Sequence, residues 1–315
     1  MRIGYFLSSE EYGPAELVAQ ARLAAEAGFT GLWVSDHFHP WLDSQGESPF
    51  VWSTIGAVSQ VCDLPIMTAV TCPLIRMHPV IVAQAAATSA VLTEGRFILG
   101  VGTGEALNEH VTGEVWPGAP VRREMLTEAI EVMRALWTGD VVNHRGRHYT
   151  VEHARIYTCP DRPVPVYISG FGPASIDLAA ELGDGFISTK PDADAVASFR
   201  EKAGAGKPTA AGAKGCYAAT ADEALKIAHR LWPTEGLPGE LSQVLPTPEH
   251  FEQATSLVEP SAMKMAHGPD PKPYLDMVDT YRNAGYDELY VAAVGPHYAE
   301  LIDLFRREIL PNVGG

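Results

Sequence analysis

Gly31-Leu32-Trp33-Val34-Ser35-Asp36-His37-Phe38-His39-Pro40-Trp41 is the stretch on which the fold turns. Gly31 to Ser35 is a short apolar run with the length and composition of a buried strand. It stops at an acid and an imidazole, and an indole follows four residues after the histidine. Closed barrels and open α/β sheets keep their reactive groups at the C-terminal tips of their strands. Imidazole exchanges protons near neutral pH, and tryptophan offers a flat apolar wall to a flat ligand. The competing reading of the pair alone is that Asp36 caps a turn and His37 bonds to backbone. The rest of the chain decides between the two.

Outward from this stretch, strand and helix signals alternate. Strands are expected at Ile3–Leu7, Gly31–Ser35, Ile66–Val70, Arg96–Val101, Val164–Ser169, Gly185–Ser188, Gly215–Ala219 and Leu289–Ala293. Helices are expected between them: from Pro14 to a stop at Gly28, Trp52–Gln60, Pro79–Leu92, Arg122–Trp137, Pro173–Leu182, Asp192–Lys202, Asp222–Leu231 and Pro273–Ala284, with a last one at His297–Arg307. Eight such steps favour an α/β (β/α)8 TIM barrel over a doubly wound sheet. Residues 141–151, with Gly146 between two β-prone runs, read as an excursion hairpin. Residues 233–271 are rich in Pro, Gly, Glu and Met and read as an insertion or lid. Residues 1–315 are thus read as one barrel domain with insertions.

Composition narrows the function. The 315 residues are 46% hydrophobic and 20% charged, enough for a large core. A formal net charge of -16 argues against a nucleic-acid or anionic-membrane partner. An anionic ligand must therefore be held by local donors. The four cysteines, Cys62, Cys72, Cys159 and Cys216, form no Cys-x-x-Cys motif and read as reduced thiols of a cytoplasmic protein. Neither a signal peptide nor a long apolar span is expected.

In a closed barrel the strand tips share one mouth, which brings Glu10, His37 and Glu105 within reach of one pocket. Two carboxylates and an imidazole are a common set for proton transfer. Gly102-Thr103-Gly104 allows close approach of backbone to a flat ligand. Ser169-Gly170-Phe171-Gly172, followed by a Pro-initiated helix, presents N–H groups suited to a phosphate. Each glycine turn alone also reads as a simple tight turn. The run Gly100-Val101-Gly102-Thr103-Gly104-Glu105 lacks the third glycine of the dinucleotide fingerprint, and no Ser sits in a G-x-S-x-G elbow. His144, His148 and His153 fall in the expected hairpin and read as a solvated edge, so no metal is expected.

The segments Ser35-Asp36-His37-Phe38-His39-Pro40-Trp41, Thr71-Cys72-Pro73-Leu74-Ile75-Arg76 and Val101-Gly102-Thr103-Gly104-Glu105-Ala106-Leu107-Asn108-Glu109 resemble the luciferase-like superfamily of flavin and deazaflavin barrels. Within it the chain is similar to the F420-dependent dehydrogenase branch, which includes glucose-6-phosphate and secondary alcohol dehydrogenases. The resemblance implies coenzyme F420 in the barrel mouth, with FMN the alternative of a luciferase-like monooxygenase. It implies a cis peptide at Ala69-Val70 behind the ring. Asp36, Thr103, Gly104, Glu105 and Asn108 would line the ring or its ribityl chain, and Ser169, Gly170, Phe171 and Gly172 would hold the phosphate. His37 would be the base or orienter of the substrate hydroxyl, Glu105 the acid/base partner at the coenzyme, Trp41 would pack on the substrate or stabilise developing charge, and Glu10 would orient His37 or bind substrate. Which of His37 and Glu105 moves the proton stays open.

The resemblance also implies a small-molecule substrate and a homodimer. It breaks where the sugar-phosphate enzymes hold phosphate with basic residues. Here Ser188-Thr189-Lys190-Pro191-Asp192-Ala193-Asp194 offers one lysine crowded by two aspartates. A neutral alcohol or ketone is therefore favoured over a sugar 6-phosphate.

Overall fold

Eight parallel strands, β1 (Arg2–Leu7), β2 (Leu32–Val34), β3 (Ile66–Thr68), β4 (Phe97–Val101), β5 (Val166–Ser169), β6 (Gly185–Ser188), β7 (Thr209–Cys216) and β8 (Glu288–Ala293), pair in chain order, and β8 returns to β1. The closed (β/α)8 barrel is thus seen in a computed structural model that describes residues 1–204 and 206–313. No helix among the described residues is long and apolar enough to cross a membrane.

Period-two alternation sorts the strand residues. Phe6, Trp33, Met67, Tyr167, Ile187, Ala210, Tyr290 and Ala292 turn inward and fill the barrel. Trp33 and Tyr290 stack with centroids 4.6 Å apart. Leu7, Val34, Leu99, Ile168 and Ala211 turn outward against the helices. Above the inner layer the wall changes character. Ala69 and Val70 are only partly buried there, and the peptide bond between them is cis. The β3–β4 ladder lapses beyond Met67↔Ile98 and resumes at Thr71↔Val101.

Pro79–Leu92, Pro173–Leu182 and Gly185–Ser188 fall where the sequence placed them. β7 does not. It runs over Thr209–Cys216, whereas the β-prone side chains pointed to Gly215–Ala219. Small residues are required here because large neighbours lean on the strand. A side chain at Gly212 would begin 2.6 Å from Trp33, and one at Gly215 2.8 Å from Tyr274. Packing, not intrinsic propensity, makes this segment a strand.

The hairpin consists of Val142–Arg145 and Thr150–Ala154. It is pinned to the helix Ala119–Leu136 by Glu128, whose carboxylate accepts from the N–H groups of Arg147, His148 and Tyr149 and sits 3.0 Å from His144 Nε2. Hydrogen bonding to His144 and to these N–H groups keeps that carboxyl below its ordinary range despite burial. The segment 233–271 folds into short helical pieces, Pro233–Gly236, Leu241–Val244, Pro248–Thr255 and Pro260–Ala262. It ends in a two-residue strand, Ala266–His267, paired with the end of β7.

Candidate active site

The tips of β1 and β2 bring Glu10 and His37 together. Glu10 Oε1 lies 3.5 Å from His37 Nε2. The other oxygen of Glu10 accepts from Ser35 Oγ at 2.7 Å and Ser8 Oγ at 3.0 Å. Two hydroxyl donors thus fix a buried carboxylate beside the imidazole. His37 Nδ1 faces the carbonyl of His39 at 3.1 Å and Asn108 Nδ2 at 3.1 Å. When Nδ1 carries the proton it donates to His39. When it does not, it accepts from Asn108. The ring therefore has a partner in either tautomer.

Asn108 joins His37 to Glu105. Its Nδ2 is also 3.4 Å from Glu105 Oε2, and its Oδ1 accepts from the N–H groups of Phe38 and His39 at 2.8 and 3.3 Å. One buried amide thereby connects the loop after β2 with the loop after β4. The imidazole at 37 and the carboxylate at 105 thus approach the same amide nitrogen. Gly104 makes the second loop possible: its φ is +72°, and a Cβ there would lie 2.6 Å from Cys72 Sγ.

The Asp36 carboxylate is buried. It accepts from Thr71 Oγ1 and Arg76 Nη2, each at 2.7 Å. Arg76 also faces Glu109, with Nε 3.6 Å from Oε1, while the Arg76 N–H donates to Oε2 at 2.9 Å. Burial pushes the Glu109 carboxyl up, against the Arg76 N–H and charge that hold it down. This buried acid–base–acid line ties together the loops after β2, β3 and β4. Sequence alone identified Asp36 but not Arg76 or Glu109 as its partners.

The remaining expected residues lie at or after the C-terminal ends of β3, β4 and β5. A side chain at Gly102 would begin 2.8 Å from Val70 Cγ2 and 3.7 Å from Ser169 Cβ, so the chain after β3 packs tightly on the tip of β4 at this part of the barrel wall. Thr103 and Ser169 are partly buried. At the glycine turn, the Gly170 N–H is committed to the carbonyl of Ile187, and the Ser175 N–H to that of Gly172. Among the described residues this leaves the N–H groups of Phe171, Gly172 and Ala174 as donors at the start of the helix Pro173–Leu182. Lys190 stands over the exposed Phe171 ring, with Nζ 5.4 Å from its centroid.

Trp41 packs between His37 and the insertion. Its ring lies 5.0 Å from that of His37 and 5.1 Å from Phe251 of the insertion. Leu237 and Leu245 pack into the same cluster, and Leu241–Val244 packs on Ala106–Glu109. The insertion therefore borders the mouth. Beside it, Glu11 accepts from Trp232 Nε1 and from the Gly295 N–H. Burial pushes the Glu11 carboxyl up to about 7. Lys214 projects inward from β7, with Nζ 2.7 Å from Glu235 Oε1 and 4.1 Å from the centroid of Trp232. Period-two counting along β7 would have placed Lys214 at the mouth, had the strand been recognised.

The profile of the luciferase-like monooxygenase family matches residues 1–288. A relative from Nocardia farcinica, named F420-dependent glucose-6-phosphate dehydrogenase, is 36% identical over 330 residues, covering 99% of this chain and 98% of its own. One of the same name from Microbacterium testaceum is 34% identical, covering 99% of this chain and 97% of its own. The solved structure of an F420-dependent secondary alcohol dehydrogenase in complex with an F420-acetone adduct superposes with a TM-score of 0.91 at 33% identity, covering 100% of this chain and 99% of that one. The chain belongs to the luciferase-like monooxygenase family, in the branch that holds the F420-dependent dehydrogenases.

Proposed function

We propose that this protein moves a hydride between a neutral alcohol, or its ketone or aldehyde, and the deazaflavin coenzyme F420. It is an F420-dependent oxidoreductase acting on CH–OH groups. The observation that carries the choice of chemistry is the convergence of His37 and Glu105 on the Asn108 amide. The tips of β3 and β4 suit a flat ring in that Val70 is an aliphatic, partly buried side chain and Gly102 beside it carries none. Val70, Gly102, Thr103 and Gly104 would hold that ring. The Phe171, Gly172 and Ala174 N–H groups, with Lys190 nearby, would hold an attached phosphate. When bound, the coenzyme supplies a ring carbon that takes or returns a hydride.

His37 Nε2 takes the hydroxyl proton as the carbinol hydrogen departs with its electron pair, and it returns that proton in the reverse direction. The imidazolium so formed is stabilised on both sides. Its Nδ1–H donates to the His39 carbonyl, and the Glu10 carboxylate stands 3.5 Å from Nε2. Trp41, packed against His37, bounds the substrate. Glu105 acts at the edge of the coenzyme and is held in place by Asn108.

A phosphorylated sugar is the second reading, favoured by the names of the relatives. Two placements weigh against it. Lys190 lies over Phe171, on the side assigned to the coenzyme phosphate, and Lys214 already has a carboxylate partner. Loading the protein with F420 and screening matched neutral and phosphorylated alcohols for loss of coenzyme absorbance tests the choice. Turnover of phosphorylated substrates alone would reject it, and tightly held FMN with no F420 reduction would reject the coenzyme. The exposed apolar residues Phe50, Ile81 and Leu92, on or beside the adjacent helices Val51–Val58 and Pro79–Leu92, are assigned to a homodimer contact, to be tested by sedimentation. Four free thiols suit the cytoplasm.

A further inference from the structure

We propose that the Lys214–Glu235 pair sets substrate charge: Glu235, contributed by the insertion, neutralises the one lysine that β7 turns into the mouth, and so excludes phosphate- or carboxylate-bearing alcohols. This rests on the neutral-alcohol reading above.

The direction of Lys214 follows from its strand. Ala210 packs inside the barrel and Gly212 faces Trp33, whereas Ala211 and Gly215 face the outer helices. Residue 214 therefore falls in the inward series. Its ammonium stands over Trp232, and Trp232 belongs to the same apolar cluster against which Trp41 packs. Lys214 is thus linked through two indoles to the wall beside His37.

The side chains of Lys214 and Glu235 are 16% and 33% exposed, so the pair borders the opening and is not sealed in the core. One of the three ammonium donors meets Glu235, and among the described residues the others meet no protein acceptor. A neutral hydroxyl can use those donors without disturbing the pair. An anion meets the Glu235 carboxylate as well, and like charges at short range oppose binding. Removing only the charge of Glu235 converts the same lysine into an anion receptor.

The test uses the F420-loaded protein, so that the glycine turn is filled, and titrates inorganic phosphate by calorimetry. Glu235→Gln is expected to bind phosphate at least tenfold more tightly than the wild type. Adding Lys214→Met to that variant is expected to abolish the gain. The ratio of kcat/KM for a phosphorylated alcohol to that of its unphosphorylated parent should rise at least tenfold in Glu235→Gln. Should that variant fail to fold, Glu235→Ala carries the same expectation. Phosphate affinity within twofold of the wild type, or a gain that survives Lys214→Met, overturns the proposal. If no alcohol reduces the coenzyme in any variant, the function reading fails, while the phosphate titration still decides the role of the pair.

Discussion

Replacing Arg76 with methionine removes the cation from the buried line that joins the loops after β2, β3 and β4. The Arg76 side chain is 8% exposed, and those of Asp36 and Glu109 are 0%. Loss of one partner from a buried ion pair costs about 3–5 kcal/mol, because a buried charge is left uncompensated. Two features move the expectation to the lower end of that range. Asp36 keeps Thr71 Oγ1, and Glu109 keeps the backbone N–H of residue 76. Methionine also retains an apolar stem where the arginine methylenes packed. A loss of about 3 kcal/mol is a large share of the stability of an ordinary domain.

The sign of the pH dependence follows from Glu109. Burial raises its pKa in the folded protein, so the folded state holds the proton more tightly than the unfolded state does. Ionisation therefore costs stability as pH rises through the window between the unfolded and folded values. Without Arg76 the folded value rises further. The destabilisation of the variant should grow from pH 5 to pH 8, in the direction in which Glu109 gives up its proton. Urea unfolding at both pH values, extrapolated to water, measures this. A loss below about 1 kcal/mol, or one that is equal at the two pH values, refutes the reasoning.

Further outcomes are expected from other residues. Gly102→Val pushes a side chain against Val70 and displaces the wall assigned to the ring, and F420 affinity read by fluorescence should fall at least tenfold while the circular dichroism spectrum is kept. Retained affinity would mean that the ring lies elsewhere. Glu11, with its carboxyl raised to about 7 by burial, gives the wild type a stability loss of at most about 3 kcal/mol as pH rises from about 4.5 to 7. Chemical denaturation of Glu11→Gln should show that slope flattened, and an unchanged slope would assign it to another group. Gly104→Ala forces a side chain onto Cys72 at a left-handed φ and should cost about 1–3 kcal/mol. A thermal midpoint equal to that of the wild type would contradict the loop geometry.

The barrel was legible because its alternation is local. A strand ending in Ser35-Asp36-His37 and helices opened by Pro79 and Pro173 carry their signals within a few residues. β7 was displaced in the sequence reading because Ala210, Ala211 and Gly212 have weak strand propensity. Gly212 lacks a side chain because Trp33 occupies that space, a demand that appears only once the barrel closes. The catalytic candidates were legible as residue types at strand tips. Their partners were not, since Arg76 and Lys214 depend on Glu109 and Glu235, which other loops deliver. Asp36 and Asn108 show the same limit. Sequence placed them at the opening, and the structure adds that Asp36 braces Arg76 while Asn108 bridges His37 and Glu105.

The most direct test of the central claim is a single-turnover reaction. Protein loaded with oxidised F420 is mixed with a neutral secondary alcohol, and loss of coenzyme absorbance is followed in the wild type and in His37→Asn. The account expects rapid loss in the wild type and a rate lowered at least about 100-fold in the variant, with coenzyme affinity unchanged. Equal rates in the two proteins, or no reduction of bound coenzyme by any alcohol, would contradict it.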